Sequence, residues 1–154
     1  MARAELVMPA FAQPTLRLTE RQYATIIGSC YDGLPDEACG LLVGPLSAAG
    51  EPTGAVSEAR PCRNADASAR TYTVDSRDLL AAMRAAESRG DEIVGVWHSH
   101  THTDAYPSPT DVRQAVDPAW LYVIVSLRDL APVLRAYRIR RGEIAEVPVE
   151  LDRG

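Results

Sequence analysis

Lysine is absent from this sequence, and all 16 basic residues are arginine. Without a lysine ammonium group, the chain cannot form a Schiff base, a Walker-type phosphate loop or a catalytic serine–lysine pair. Long apolar runs are missing as well. Because no stretch of about 18 consecutive apolar residues occurs, neither a transmembrane helix nor a membrane partner is predicted. The formal net charge of −5 argues against a nucleic-acid partner, since binding to phosphates requires a basic surface.

Cysteine is scarce, and Cys30, Cys39 and Cys62 do not form a C-x-x-C pair. An odd number of cysteines with this spacing is typical of reduced thiols, and it therefore predicts a cytoplasmic protein. The length of 154 residues suits a single domain. We expect residues 1–14 to be a disordered N-terminal tail and residues 15–154 to form the domain.

The spacing of apolar residues predicts strands and helices that alternate irregularly. Strands are predicted at residues 15–18, 38–43, 54–60, 70–74, 92–97, 120–127, 133–140 and 143–149. Helices are predicted to begin at Thr19, Asp75 and Thr110, and to end before Gly33, Gly90 and Pro118. The fold class that follows is α/β (α+β), with one mixed sheet and helices packed against it.

All three histidines fall within five positions, at His98, His100 and His102. Side chains alternate along a strand, so His98 and His100 should share one face at the end of the 92–97 strand. Such a pair can hold one metal ion, and Asp111, at the start of the third helix, is the natural third ligand of an open site. We interpret His102 and Asp104 as solvated or supporting groups. The alternative is that the pair is simply two hydrogen-bonded histidines, which is the commoner situation for His-x-His.

The full string reads His98-Ser99-His100, seven residues, Ser108, two residues, Asp111. This spacing resembles the signature of the JAMM (MPN-type) metalloproteases. The resemblance implies a single MPN domain with a curved, cytidine-deaminase-like mixed sheet flanked by helices. It also implies one zinc ion per chain, held by His98, His100 and Asp111, with the fourth position open to water.

The same resemblance selects Glu37 among 21 acidic residues, which composition alone could not do. Within Pro35-Asp36-Glu37-Ala38-Cys39-Gly40 this glutamate stands at the head of an apolar strand, where the family has its general base. Such a base is needed to accept the proton of the attacking water and pass it to the leaving amine. Ser108 is similar to the family serine that stabilises the oxyanion. Capping of the third helix is its alternative role, and both roles can hold together.

Several segments are similar to one bacterial subgroup of the family; they are residues 35–40, 98–101, 105–108, 122–126 and 137–139. That subgroup releases cysteine from a ubiquitin-like sulfur-carrier protein with a Gly-Gly tail, in cysteine biosynthesis. The resemblance therefore implies a carrier of this kind as partner. Two alternatives stay open: a peptidase that trims a short C-terminal extension from a carrier precursor, and a non-catalytic MPN scaffold. A thiol hydrolase using Cys39 is disfavoured, because this cysteine is expected in the core.

Overall fold

The centre of the molecule is a six-stranded mixed sheet, seen in a computed structural model that describes residues 14–153. Residues 1–13, which make up nearly all of the predicted tail, and residue 154 lie outside the described residues. The strands are β1 (Leu16–Thr19), β2 (Cys39–Gly44), β3 (Glu58–Cys62), β4 (Glu92–His100), β5 (Leu121–Ser126), β6 (Val133–Arg140), β7 (Glu143–Val147) and β8 (Val149–Asp152). The helices are α1 (Glu20–Asp32), α2 (Ser76–Ser88) and α3 (Pro109–Gln114).

The sheet has the strand order β3-β2-β4-β5-β6-β7, and a separate two-stranded sheet joins β1 to β8. Within the six-stranded sheet, β4 and β5 are parallel and the other neighbours are antiparallel. A parallel pair needs a crossover connection, and the segment between β4 and β5 contains α3. This is the predicted mixed sheet with helices packed against it, and the fold class is confirmed.

Two hydrophobic cores lie on opposite faces of the sheet. Trp97 of β4 packs in one core with Ile26 of α1. Val96, the preceding residue on the same strand, packs in the other core with Ala82 of α2. Successive side chains of a strand point to opposite faces, so Val96 lies on the α2 face and Trp97 on the α1 face. Before Val96 the pairing of β4 with β2 shifts register, and Val94 packs with Trp97. The continuation of β4 beyond Trp97 inherits the same alternation.

The two long helices have their N-caps at Thr19 and Asp75, where the sequence predicted that helices begin. The Thr19 hydroxyl accepts a hydrogen bond from the Gln22 amide, and the Gln22 side chain accepts one from the Thr19 amide. The Asp75 carboxylate accepts hydrogen bonds from the amides of Arg77 and Asp78 at the start of α2. These contacts satisfy N–H groups that have no partner inside a helix. Within the described residues, no helix is long and apolar enough to cross a membrane.

The strand predicted at residues 70–74 is wrong. Only an isolated bridge between Asn64 and Val74 occurs there. The Asn64 side chain accepts a hydrogen bond from the Thr73 amide and donates one to the Thr71 carbonyl. These backbone groups are therefore used within a loop, and they are not free to pair with a neighbouring strand.

Other strands differ from the prediction at their ends. β3 begins at Glu58 instead of residue 54, since Gly54 turns the chain with a φ of 93°. Gly54 also lies against Thr15. A Cβ atom at residue 54 would be 2.0 Å from the Thr15 carbonyl oxygen. The strand predicted at residues 143–149 is divided at Pro148, which has no amide to donate. β4 extends through His100, so His98 and His100 belong to the strand itself.

Candidate metal centre

The end of β4 presents two histidines on one face. His98 and His100 follow Val96 at every second position of β4, so their side chains lie on the same face as that of Val96, and both are buried. Ser99 lies on the opposite face, where its hydroxyl accepts a hydrogen bond from the Ala38 amide at 2.9 Å. The Ser99 amide in turn donates to the Ala38 carbonyl at 3.0 Å. Ser99 therefore points away from the histidines, and its two hydrogen bonds to Ala38 tie β4 to the start of β2.

Asp111 reaches the histidines from the first turn of α3. The Ser108 hydroxyl accepts a hydrogen bond from the Asp111 amide at 3.0 Å, and the Ser108 amide donates to Asp111 Oδ2 at 2.9 Å. Pro109 follows the cap at the start of the helix, where its missing amide costs nothing. This reciprocal pair fixes the carboxylate, so the predicted capping role of Ser108 is confirmed.

Three ligand-type atoms converge at this place. His98 Nε2 lies 3.2 Å from His100 Nε2, and Asp111 Oδ2 lies 3.2 Å from the first and 3.0 Å from the second. Tetrahedral zinc with ligands at about 2.0–2.1 Å separates neighbouring ligand atoms by about 3.3 Å. The three atoms therefore fit around one such cation, and the structure brings together the three residues that the sequence predicted as ligands.

The electrostatics of the three groups favour a cation between them. Burial lowers the pKa of His98, which keeps its imidazole neutral and able to coordinate. Burial also works to lower the pKa of His100, but hydrogen bonds to Asp111 and to the Asp104 carbonyl raise it overall. For Asp111, the two histidine contacts outweigh burial and hold the pKa of the carboxyl well below its usual range. An ionised carboxylate beside two imidazoles is a donor set typical of divalent transition metals.

Glu37 is held close to these groups in a buried position. It precedes β2 and is 6% exposed, and its Oε1 atom is buried without a hydrogen-bond partner among the described residues. Burial raises the pKa of Glu37 to about 7, opposed by the charge of His100 and reinforced by those of Asp111 and Asp66. A carboxyl with a pKa near neutrality can accept and return a proton at physiological pH.

Contacts outside the ligand set orient both imidazoles. His100 Nδ1 lies 2.7 Å from the backbone oxygen of Asp104. The ring of Tyr72 stacks on that of His98, with centroids 4.3 Å apart and planes inclined by 17°. Such supporting contacts fix the ring orientation of metal-binding histidines. The stacking of Tyr72 was not expected, because residues 70–74 were interpreted as a strand. Asp104 was interpreted as a solvated or supporting group, and its backbone oxygen supports His100. His102 is exposed.

Cys39 lies on β2 with its side chain buried. Its thiol contacts the backbone oxygen of Arg63 at 3.5 Å, and burial raises its pKa to about 12. Because the thiolate is the nucleophilic form of cysteine, a protonated thiol of this kind is a poor nucleophile. The environment of Cys39 therefore agrees with its expected place in the core and disfavours the thiol hydrolase.

Comparison with protein families gives a match over residues 19–140 to the family described as prokaryotic homologs of the JAB domain. The CysO-cysteine peptidase of Mycobacterium tuberculosis is 43% identical over 118 residues, which cover 76% of this chain and 77% of that protein. The desampylase of Haloferax volcanii is 38% identical over 93 residues, covering 60% of this chain and 63% of that protein.

Solved structures with the same fold include a protein of Desulfitobacterium hafniense studied in solution. It has a TM-score of 0.80 and 31% identity, with 91% of this chain and 94% of that chain covered. A JAB1/MPN domain protein from Archaeoglobus fulgidus has a TM-score of 0.55 and 20% identity, with 87% and 98% covered. At 20% identity this second likeness concerns the fold alone. The expected MPN-type architecture is confirmed by these neighbours.

Proposed function

The chain is a JAMM-type metallopeptidase that belongs to the prokaryotic JAB-domain family, and we propose that it cleaves after the C-terminal Gly-Gly of a ubiquitin-like sulfur-carrier protein, releasing cysteine. The observation that carries the proposal is the convergence of His98 Nε2, His100 Nε2 and Asp111 Oδ2 within 3.2 Å of one another, near the partnerless carboxyl oxygen of Glu37. A non-catalytic scaffold would have no use for this complete set.

We propose that His98, His100 and Asp111 hold one zinc ion per chain. The spacing of the three ligand atoms suits tetrahedral zinc. The chemistry also suits zinc, because His98 is a neutral imidazole, His100 is held through its second nitrogen and Asp111 is an ionised carboxylate. Zinc bound there would act as a Lewis acid, which would polarise the scissile carbonyl and make water more acidic.

Glu37 and Ser108 carry the remaining proposed roles. In this proposal a carboxylate oxygen of Glu37 accepts the proton of the attacking water, which its pKa near 7 permits, and then gives the proton to the amine that leaves. The Ser108 hydroxyl already accepts from the Asp111 amide, so its own proton is available for donation to the oxyanion that forms at the carbonyl. The reciprocal bonds with Asp111 keep Ser108 beside the ligand set.

The choice of substrate rests on the relatives and on the chemistry of glycine. The most similar relatives reported above are a CysO-cysteine peptidase and a desampylase, and the name of a Thermus thermophilus relative, 39% identical over 44 residues, refers to cleavage of TtuB–protein conjugates. A Gly-Gly tail has no side chains, so it can enter a narrow cleft beside buried ligands and pair along an exposed strand edge. These points favour a carrier with such a tail.

Mass spectrometry of a ubiquitin-like carrier that ends in Gly-Gly-Cys tests the proposal. The protein should remove a single cysteine in a reaction that a chelator stops and zinc restores. A matched carrier with valine in place of the second glycine should resist cleavage, because a β-branched side chain next to the scissile bond would crowd the proposed metal site. A precursor with a longer extension distinguishes the alternative: efficient loss of that peptide, with Gly-Gly-Cys left intact, would favour trimming. No cleavage of either carrier would contradict the proposed function.

A further inference from the structure

The backbone of Glu37 is clamped by a loop that has no place in the mechanism above. Glu37 lies between α1 and β2, outside both elements. Its amide donates to the Ser68 carbonyl at 2.8 Å, and its carbonyl accepts from Asn64 Nδ2 at 3.0 Å. Both partners belong to the loop at residues 63–74, which connects β3 to α2. The position of the Glu37 main chain therefore depends on this loop more than on a regular element.

The loop is in turn organised around the side chain of Asn64. Besides its bond to Glu37, Nδ2 donates to the Thr71 carbonyl at 2.9 Å. Oδ1 accepts from the amides of Asp66 at 3.0 Å and Thr73 at 3.1 Å. The amide thus uses two donors and two acceptors, which is about the full capacity of an asparagine side chain. No other residue type of this size can satisfy both kinds of partner at once.

The far part of the same loop reaches the metal ligands. Tyr72, which lies between two residues bonded to Asn64, stacks on the ring of His98. The Thr101 hydroxyl donates to the Ala69 carbonyl at 3.3 Å, directly after the second histidine of β4. One loop therefore touches the main chain of the general base and the ring of a ligand.

We propose that Asn64 is a positioning residue of the reaction, which holds the main chain of Glu37 and the ring of Tyr72 in place through the loop at residues 63–74. The inference rests on the proposed role of Glu37 as general base. Asn64 itself need not contact the substrate. A displacement of about 1 Å in a reacting group costs on the order of 10²-fold in rate, so loss of the clamp should be visible mainly in kcat.

Two variants of Asn64 and one matched control test this. Asn64→Ala removes all four hydrogen bonds, and Asn64→Asp removes the two donated ones, including that to Glu37. Gln22→Ala is the control, because Gln22 also bridges two backbone stretches, donating to Val56 and accepting from Thr19, in the N-cap of α1. We expect kcat to fall about 10²-fold in both Asn64 variants, with KM nearly unchanged, and to stay near the wild-type value in the control.

A double-mutant cycle separates positioning from general loss of structure. If Asn64 acts through Glu37, adding Asn64→Ala to Glu37→Gln should lower the residual rate much less than it lowers the wild-type rate, because coupled residues are not additive. Equal fold-losses in both backgrounds would overturn the inference. A loss in Asn64→Asp without a loss in Asn64→Ala would also overturn it, because added charge and not the missing clamp would then be the cause.

Amide hydrogen exchange gives a readout that does not need activity. The Glu37 amide is bonded to the loop, so its exchange should be faster in both Asn64 variants and unchanged in Gln22→Ala. Unchanged protection of that amide in the Asn64 variants would overturn the inference. If the unaltered protein cleaves no carrier while the Glu37 amide still loses protection, the proposed function fails and the structural clamp stands.

Discussion

Glu37→Gln should stabilise the metal-free protein at alkaline pH and leave its stability nearly unchanged at acidic pH. Burial raises the pKa of Glu37 from 4.5 to about 7 in the folded chain. Below the unfolded pKa the carboxyl is protonated in both states, and it has no effect on the pH dependence. Between the two pKa values the unfolded chain releases the proton while the folded chain retains it, so wild-type stability falls as the pH rises.

The size of the effect follows from the shift. A difference of about 2.5 pKa units at roughly 1.4 kcal/mol per unit corresponds to a ceiling of roughly 3–4 kcal/mol. The wild-type protein loses this much stability in full only above the pKa that Glu37 has in the folded chain. The free energy of unfolding of Glu37→Gln, relative to wild type, should therefore rise by up to about 3 kcal/mol between about pH 4 and pH 8.5.

Urea unfolding of the chelator-treated proteins across this pH range measures the difference directly. Glu143→Gln, at an exposed glutamate of β7, controls for the loss of a negative charge as such. Saturation with zinc should reduce the rise, because a nearby positive charge favours the ionised carboxylate. A difference between Glu37→Gln and wild type that stays constant with pH would refute the argument that burial keeps Glu37 protonated.

Three further predictions concern the metal, the core thiol and a close contact in the sheet. Purified protein should contain about one zinc per chain, and His98→Ala or Asp111→Ala should lose most of it; full zinc in both variants by metal analysis would exclude the site. Cys39→Ser should fold and cleave normally, because a thiol with a pKa of about 12 stays protonated; a folded but inactive variant would restore the thiol hydrolase. Gly40→Ala should lower Tm, because its Cβ would lie 2.2 Å from Trp97 Cζ2, and overpacking costs about 1–3 kcal/mol; an unchanged Tm in thermal denaturation would show that Trp97 can move.

The convergence of His98, His100 and Asp111 could be predicted from the sequence because it depends on local periodicity. Strand alternation alone places His98 and His100 on one face, and a helix start with a serine cap brings Asp111 back toward them. Glu37 could not be predicted in this way. Its position is set by contacts with residues 64 and 68, far along the chain, and only the family resemblance singled it out among the acidic residues.

The loop at residues 63–74 shows why the rest was missed. Its alternating Thr71-Tyr72-Thr73 pattern is typical of a strand. The hydrogen bonds of Asn64 override that pattern, because a side-chain amide takes the backbone partners that a neighbouring strand would need. The strand propensity of residues 71–73 does not reflect their hydrogen bonds to a side chain seven to nine positions away. Neither the loop nor the stacking of Tyr72 on His98 could therefore be predicted from spacing.

The pairing of β1 with β8 also determines how the fold responds to force. The two strands run parallel, with Leu16 opposite Val149 and Thr19 opposite Asp152. The chain enters this ladder at Leu16 and leaves it at Asp152. These two residues lie at opposite ends of the ladder. Tension between the two ends of the described chain therefore pulls the strands past each other, and the hydrogen bonds of the ladder bear the load together instead of opening one after another.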